Sequence, residues 1–317
     1  MVAPSTTAAA RHKATLVGAL ALLLWSALSL LTTMAGPIPP FQLVSMTFLV
    51  GGLAGLATWG RQTPRILGDL LRHPGVWPVG VGGLFGYHFL YFLALGHAPA
   101  VEATLLNYLW PLLIVLFSGL LPGERLRWWH IAGTLIGLAG LVFMVLARPN
   151  GQISGTGLTL DPRYIPGYAA ALGAAVFWAS YSVISRRFAA VPTEAVAAFC
   201  LATSFLACLC HLAFEHTVWP ASPTAWGAVL ALGLGPVGLA FYAWDHGVKR
   251  GNITTLGGLS YATPLMSTLL LILAGRADAT PAIAVACCAI VGGALLAARD
   301  LWQRKAPEAA LPESGPT

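Results

Sequence analysis

Trp25, Trp110 and Trp178 sit near the middles of long apolar runs, where an indole N–H meets no water unless a cavity brings it there. His88 and Tyr91 lie three apart in another such run, on one face of a helix, with Tyr87 beside them. An ionisable ring at that depth is a candidate pathway group. Asn107 and Tyr108 precede Trp110, Tyr181 shares a helical face with Trp178, and Ser29, Ser260, Tyr261 and Thr263 add further polar atoms. Trp25, His88, Tyr91, Asn107, Tyr108, Trp110, Trp178, Tyr181, Ser260 and Tyr261 are therefore the candidate binding residues. Their chemistry is ring stacking with a few hydrogen bonds. The competing reading is ordinary helix packing.

The absences bear on the ligand. No Asp, Glu, Lys or Arg falls near the centre of an apolar run; Glu102 and Asp245 lie near run ends, and Asp245, four residues before Lys249, suggests an interfacial ion pair. A chamber without a central carboxylate suits a permanent cation poorly, and one without Lys or Arg suits a sugar phosphate poorly. A neutral or zwitterionic ligand with a flat apolar body fits better. Adjacent Asp245 and His246 point apart on a helix, and His88 has no partner at readable spacing, so enzyme catalysis is not expected. Neither a metal nor a cofactor is expected. The five cysteines, Cys200, Cys208, Cys210, Cys287 and Cys288, follow no zinc or disulfide spacing and read as small packing residues.

These residues need an unusual scaffold. Of 317 residues, 57% are apolar and 9% charged, against about 25% charged in soluble domains, which excludes a water-soluble globule. A bilayer crossing takes roughly 20 helical residues. Ten spans fit, at about 14–34, 41–59, 76–95, 100–121, 130–146, 166–186, 193–214, 224–246, 252–274 and 281–298. The expected fold is an all-α integral membrane protein with ten transmembrane helices.

Ten crossings leave both termini on one face. With the N-terminus cytoplasmic, 14 of the 17 basic residues are cytoplasmic and only Arg148, Arg163 and Arg276 lie opposite, a strong positive-inside bias. The charge pattern thus reads as topology, with the lipid bilayer as partner and no nucleic acid. Trp59, Trp77, Trp128, Trp129, Trp219, Trp226 and Trp302 fall at span ends as an interfacial belt, with Trp244 close to one. The run after the polar leader is too long for a cleaved signal peptide.

Offsetting the chain on itself by 153 positions aligns Trp25 with Trp178, Ser29 with Ser182, Tyr108 with Tyr261 and Pro111 with Pro264 without a gap. Five spans per unit is odd, so the halves enter the membrane from opposite sides, as two inverted-topology five-helix repeats around a central cavity. The organisation is a cytoplasmic tail (1–13), a first repeat (14–148), an extracytoplasmic linker (149–165), a second repeat (166–298) and a cytoplasmic tail (299–317). Such symmetry suits alternating access, and hence transport. Pro111 and Pro264 each remove the donor to a carbonyl four residues back, at Asn107 and Ser260. Two unpaired carbonyls would face the pathway. With Gly82, Gly235 and Pro236 these prolines are the candidate hinges, close helix contact being the alternative.

The stretch ATLVGALALLLWSAL at 14–28, NYLWP at 107–111, AWDHG at 243–247 and SYATP at 260–264 resemble YddG-type aromatic amino acid exporters of the drug/metabolite transporter superfamily, built from EamA repeats. Gly123, Glu124 and Arg125 match the turn typical of such halves; the second half reads Gly275, Arg276, Ala277, Asp278 and departs from it. The resemblance implies a ten-helix protein of the inner (plasma) membrane that exports aromatic and other neutral amino acids from the cytoplasm as its small-molecule substrates. The alternative is export of a different small neutral or zwitterionic metabolite. Proton-driven and facilitated movement both stay open, with a lean to the second.

Overall fold

A computed structural model describes residues 8–122, 124–146, 161–275 and 280–299. Among these residues every regular element is helical. Nine stretches are long and apolar enough to cross a membrane: Ala8–Ala35, Pro40–Ala57, Val76–His97, Ala100–Ser118, Trp128–Leu146, Pro162–Phe188, Thr193–Phe214, Pro223–Arg250 and Ile253–Leu273. The seventeen-residue helix Pro281–Ala297 supplies the tenth. Leu16, Leu120, Phe205, Leu212 and Leu273 are exposed along these helices, the inverse of a soluble surface and the expected one in lipid.

Some ends differ from the sequence expectation. The first helix begins at Ala8, inside the stretch read as a tail, and the eighth continues to Arg250. Asp245 and Lys249 therefore sit in the last two turns of this helix, where they form the expected pair, buried within the protein. Lys249 Nζ lies 3.0 Å from Asp245 Oδ2 with side chains 1% and 2% exposed. Thr193 donates to the same carboxylate oxygen at 2.8 Å and Lys249 to the Val191 carbonyl at 3.1 Å, so the buried charges are met by further hydrogen bonds, as they must be. A short amphipathic helix, Thr63–Arg72, joins the second and third spans, burying Ile66 and Leu70 while Leu67 and Leu71 are exposed.

The contacts identify the symmetry. The second span packs on the seventh, the fourth on the ninth and the fifth on the tenth, while the first packs on the eighth as the third packs on the sixth. A twofold exchange of the halves reproduces this set. The amide N–H of Phe41 bonds Glu215 at one end of the second and seventh spans, and Gly55 meets Ala197 at the other. Equivalent helices of the two repeats are antiparallel, as an inverted repeat requires.

Glycine permits the closest of these crossings. A Cβ on Gly133 would fall 2.5 Å from the Gly293 carbonyl oxygen, and one on Gly247 2.4 Å from the Gly18 Cα. In lipid, where apolar burial drives no helix association, such backbone approach supplies the packing. Of the belt tryptophans, Trp128, Trp219 and Trp226 are exposed, whereas Trp59 is buried with its indole N–H on the Glu194 carbonyl at 2.9 Å. Trp302 lies outside the described residues.

Candidate functional site

Two breaks in the helices shape the centre. The third span carries a π-helical turn at Gly82–Gly86 and the eighth one at Gly235–Leu239, the same position in each repeat. A π turn inserts an extra residue, widens the helix and displaces carbonyls from their usual partners. Trp25 uses one of them, its indole N–H donating to the Pro236 carbonyl at 2.9 Å. That bond satisfies a buried donor without water and ties the first span to the eighth. The fourth and ninth spans break before Pro111 and Pro264, as expected, but the Ser260 carbonyl is not bare. It accepts from the Thr263 N–H at 3.1 Å, and the Tyr261 hydroxyl donates to the Tyr108 carbonyl at 3.1 Å.

Between these breaks lies a cavity of about 290 Å³ lined by Trp25, Leu28, Ser29, Tyr87, His88, Tyr91, Asn107, Tyr108, Trp110, Trp178, Phe241, Thr263, Pro264 and Ser267. It is near the low end of ligand sites, which start at roughly 300 Å³. None of the fourteen is Asp, Glu, Lys or Arg. Trp25, Trp110, Trp178 and Trp244 form its base: Trp178 and Trp244 stack 6.1 Å apart at 24°, and Trp110 stands edge-on to both at 86°. Beneath them the Trp244 indole N–H donates to Ser182 at 3.0 Å. Trp110 and Trp178 are 6% and 4% exposed, turned inward and away from lipid.

The polar groups line the walls. His88 Nδ1 is 2.7 Å from the Leu84 carbonyl; a carbonyl only accepts, so Nδ1 carries a proton and is committed to the helix backbone. Asn107 donates to the Tyr87 hydroxyl at 3.1 Å, and Tyr87 stacks on Tyr91 at 6.0 Å. Among the described residues, the Asn107 Oδ1 and Thr263 Oγ1 atoms are buried without a hydrogen-bond partner. Ser267 donates to Ser29 at 3.1 Å where the cavity meets the outside.

Seven of the ten binding candidates line this cavity. Tyr181, Ser260 and Tyr261 do not. Tyr181 packs behind Trp178 at 5.3 Å and against Gly83. The Ser260 hydroxyl turns back to its own helix, on the Leu256 carbonyl at 2.7 Å. Tyr261 fills a separate cluster with Leu141, Leu265 and Ile290. The helix break rotates the next turn, so Thr263 and Pro264 face the cavity in their place. Of the hinge candidates, Pro264 also lines the cavity, and Gly82, Gly235 and Pro236 lie in the π turns. Phe241, Leu28 and Ser267 had no signal beyond apolar or small-residue spacing. Trp244 was read as close to a span end; it lies six residues before the end of the eighth span and is fully buried.

Known proteins share this plan. The model of the EamA-like transporter family matches residues 12–146 and again 165–299, two blocks related by the same offset as the internal repeat. The chain is 56% identical over 288 residues to the aromatic amino acid exporter YddG of Ancylobacter novellus, covering 90% of this chain and 97% of that one. It is 30% identical to the protein of the same name in Salmonella typhimurium, over 82% of this chain and 87% of that one. A crystal structure at 54% identity superposes with a TM-score of 0.83, covering 92% and 99% of the two chains. With both repeats matched and the ten-helix plan in place, the chain belongs to the EamA-like transporter family.

Proposed function

We propose that this chain exports aromatic amino acids, and other neutral amino acids, from the cytoplasm by alternating access through the tryptophan-based cavity. The observation that carries the reading is the cavity's composition: indole and phenol rings together with hydrogen-bonding groups, and no Asp, Glu, Lys or Arg. A flat ring packs against Trp110 and Trp178, while the ammonium and carboxylate of a zwitterion meet Asn107, His88 and Thr263. The names of the relatives in Ancylobacter novellus and Salmonella typhimurium support the same substrate class.

The positive-inside bias supports a plasma-membrane protein with both termini cytoplasmic. The π turns and the two proline breaks serve as hinges about which the halves exchange conformations. The cavity holds no carboxylate, and its one histidine, His88, is tied to its own helix backbone at Nδ1, so we take movement as downhill and facilitated. Counterflow of radiolabelled tryptophan in proteoliposomes tests the reading, with phenylalanine, leucine and a nucleoside as competitors and with or without a pH gradient. Aromatic competitors are expected to block uptake best, at a rate that ignores the gradient. Preference for the nucleoside would overturn the substrate class, and dependence on the gradient would overturn the facilitated mechanism.

A further inference from the structure

One end of the bundle is held by ionised side chains drawn from both repeats. Arg11 Nη2 donates to both carboxylate oxygens of Glu124, at 2.7 and 3.0 Å. Arg186 Nη2 lies 3.2 Å from the same carboxylate, and Arg186 Nη1 donates to the Gly251 carbonyl at 3.1 Å. Thr15 closes the ring: its hydroxyl accepts from the Asn252 N–H at 2.8 Å and donates to the Arg11 carbonyl at 2.8 Å. Arg11 and Thr15 lie on the first helix and Glu124 follows the fourth span, all on the first-repeat side; Arg186, Gly251 and Asn252 belong to the second repeat. The Glu124 side chain is 13% exposed and the Arg186 side chain 21%, so water screens this cluster less than an ordinary surface pair.

The cluster and the cavity mouth lie on opposite sides of the tryptophan base. Along the first span the order is Arg11, Thr15, Trp25, Ser29, which at 1.5 Å per residue puts Arg11 about 21 Å from the level of Trp25. Ser29, beyond Trp25, is exposed at the mouth. The cavity is open at the end away from Glu124.

An inverted repeat with perfect symmetry would close either end equally well, because each state is the other with the halves exchanged. At this arginine cluster the symmetry is broken. At the 153-residue offset the counterparts of Arg11, Thr15, Glu124 and Arg186 are Tyr164, Tyr168, Ala277 and Thr33. No counterpart of either arginine is a cation. The nearest cation to Tyr164 in sequence, Arg163, is engaged by Asp161 of its own turn, with Nε 2.6 Å from Oδ2. Deeper in, the counterparts of Asp245 and Lys249 are Phe92 and Gly96.

We infer that Glu124 is a positioning residue of the transport cycle. By tying arginines of the two repeats together it seals the end opposite the mouth, favours the mouth-open state, and must release Arg186 in each turnover. This inference rests on the transporter fold and not on the identity of the substrate.

A thiol reporter reads it without any substrate. Ser267→Cys is introduced at the mouth of a chain whose Cys200, Cys208, Cys210, Cys287 and Cys288 are changed to Ser, and labelling by a membrane-impermeant maleimide is timed from the mouth side. Glu124→Gln is expected to slow labelling about 5- to 10-fold as the population shifts to the state closed at the mouth, and Glu124→Asp to restore most of the rate. Arg186→Gln, which removes only one partner, is expected to act in the same direction and carries the test should Glu124→Gln not fold. Unchanged or faster labelling in a folded Glu124→Gln or Arg186→Gln chain would overturn the inference. Failure of tryptophan counterflow with the labelling shift intact would remove the substrate reading alone.

Discussion

The tryptophans at the cavity base divide into those that meet the cavity and one that supports them. Trp178 lines the cavity; Trp244, stacked on it, does not. Trp178→Ala is therefore expected to raise the half-saturation for tryptophan in counterflow by about 10-fold, equivalent to roughly 1.4 kcal/mol, while Trp178→Phe retains part of the affinity. Trp244→Ala instead leaves a hole in packed core, and an aromatic-to-alanine change there costs about 3–5 kcal/mol. Its signature is a lower melting temperature in detergent, not a selective loss of substrate. Equal melting losses in both variants would reject the division. Sequence found Trp25, Trp110 and Trp178 because an indole amid an apolar run is conspicuous. It missed Trp244 because Asp245 and Lys249 follow it close to the span end; their mutual pair and the Thr193 and Val191 contacts from a neighbouring segment let those charges lie buried inside the protein.

The helices themselves carry the hinge expectation. A Cβ on Gly82 would meet only the Phe177 ring, at 3.8 Å, and one on Gly235 only Leu24, at 4.0 Å. Alanine fits at both sites, so its effect reports stiffening and not collision. Gly82→Ala and Gly235→Ala are expected to lower the maximal counterflow rate several-fold with little change in half-saturation; full rate in the double variant would remove the π turns from the mechanism. Gly133→Val is the contrast, since its side chain must displace the backbone of the tenth span. It is expected to cost about 1–3 kcal/mol and several degrees of melting temperature, and an unchanged melting curve would contradict the backbone contact. The glycines and prolines that mark these places were legible. The π geometry was not, because the same residues permit an ordinary kink, and the rotation that hides Ser260 and presents Thr263 follows from backbone hydrogen bonds that spacing does not encode.

At the scale of the whole molecule, the inverted repeat was legible because Trp, Tyr and Pro coincide at one offset, and the helix contacts and the doubled family match follow the same relation. The partner of each helix was not legible. Span order in sequence does not say that the first lies against the eighth, a choice made by the matched small surfaces at Gly18 and Gly247. The central claim is that this fold encloses an uncharged, tryptophan-based cavity through which aromatic amino acids cross the membrane. Radiolabelled tryptophan counterflow into proteoliposomes, compared between the parent chain and Trp178→Ala, addresses it most directly. The account predicts saturable accumulation that unlabelled phenylalanine competes away and that Trp178→Ala weakens about 10-fold; accumulation no greater than in empty liposomes, or fully retained by Trp178→Ala, would contradict it.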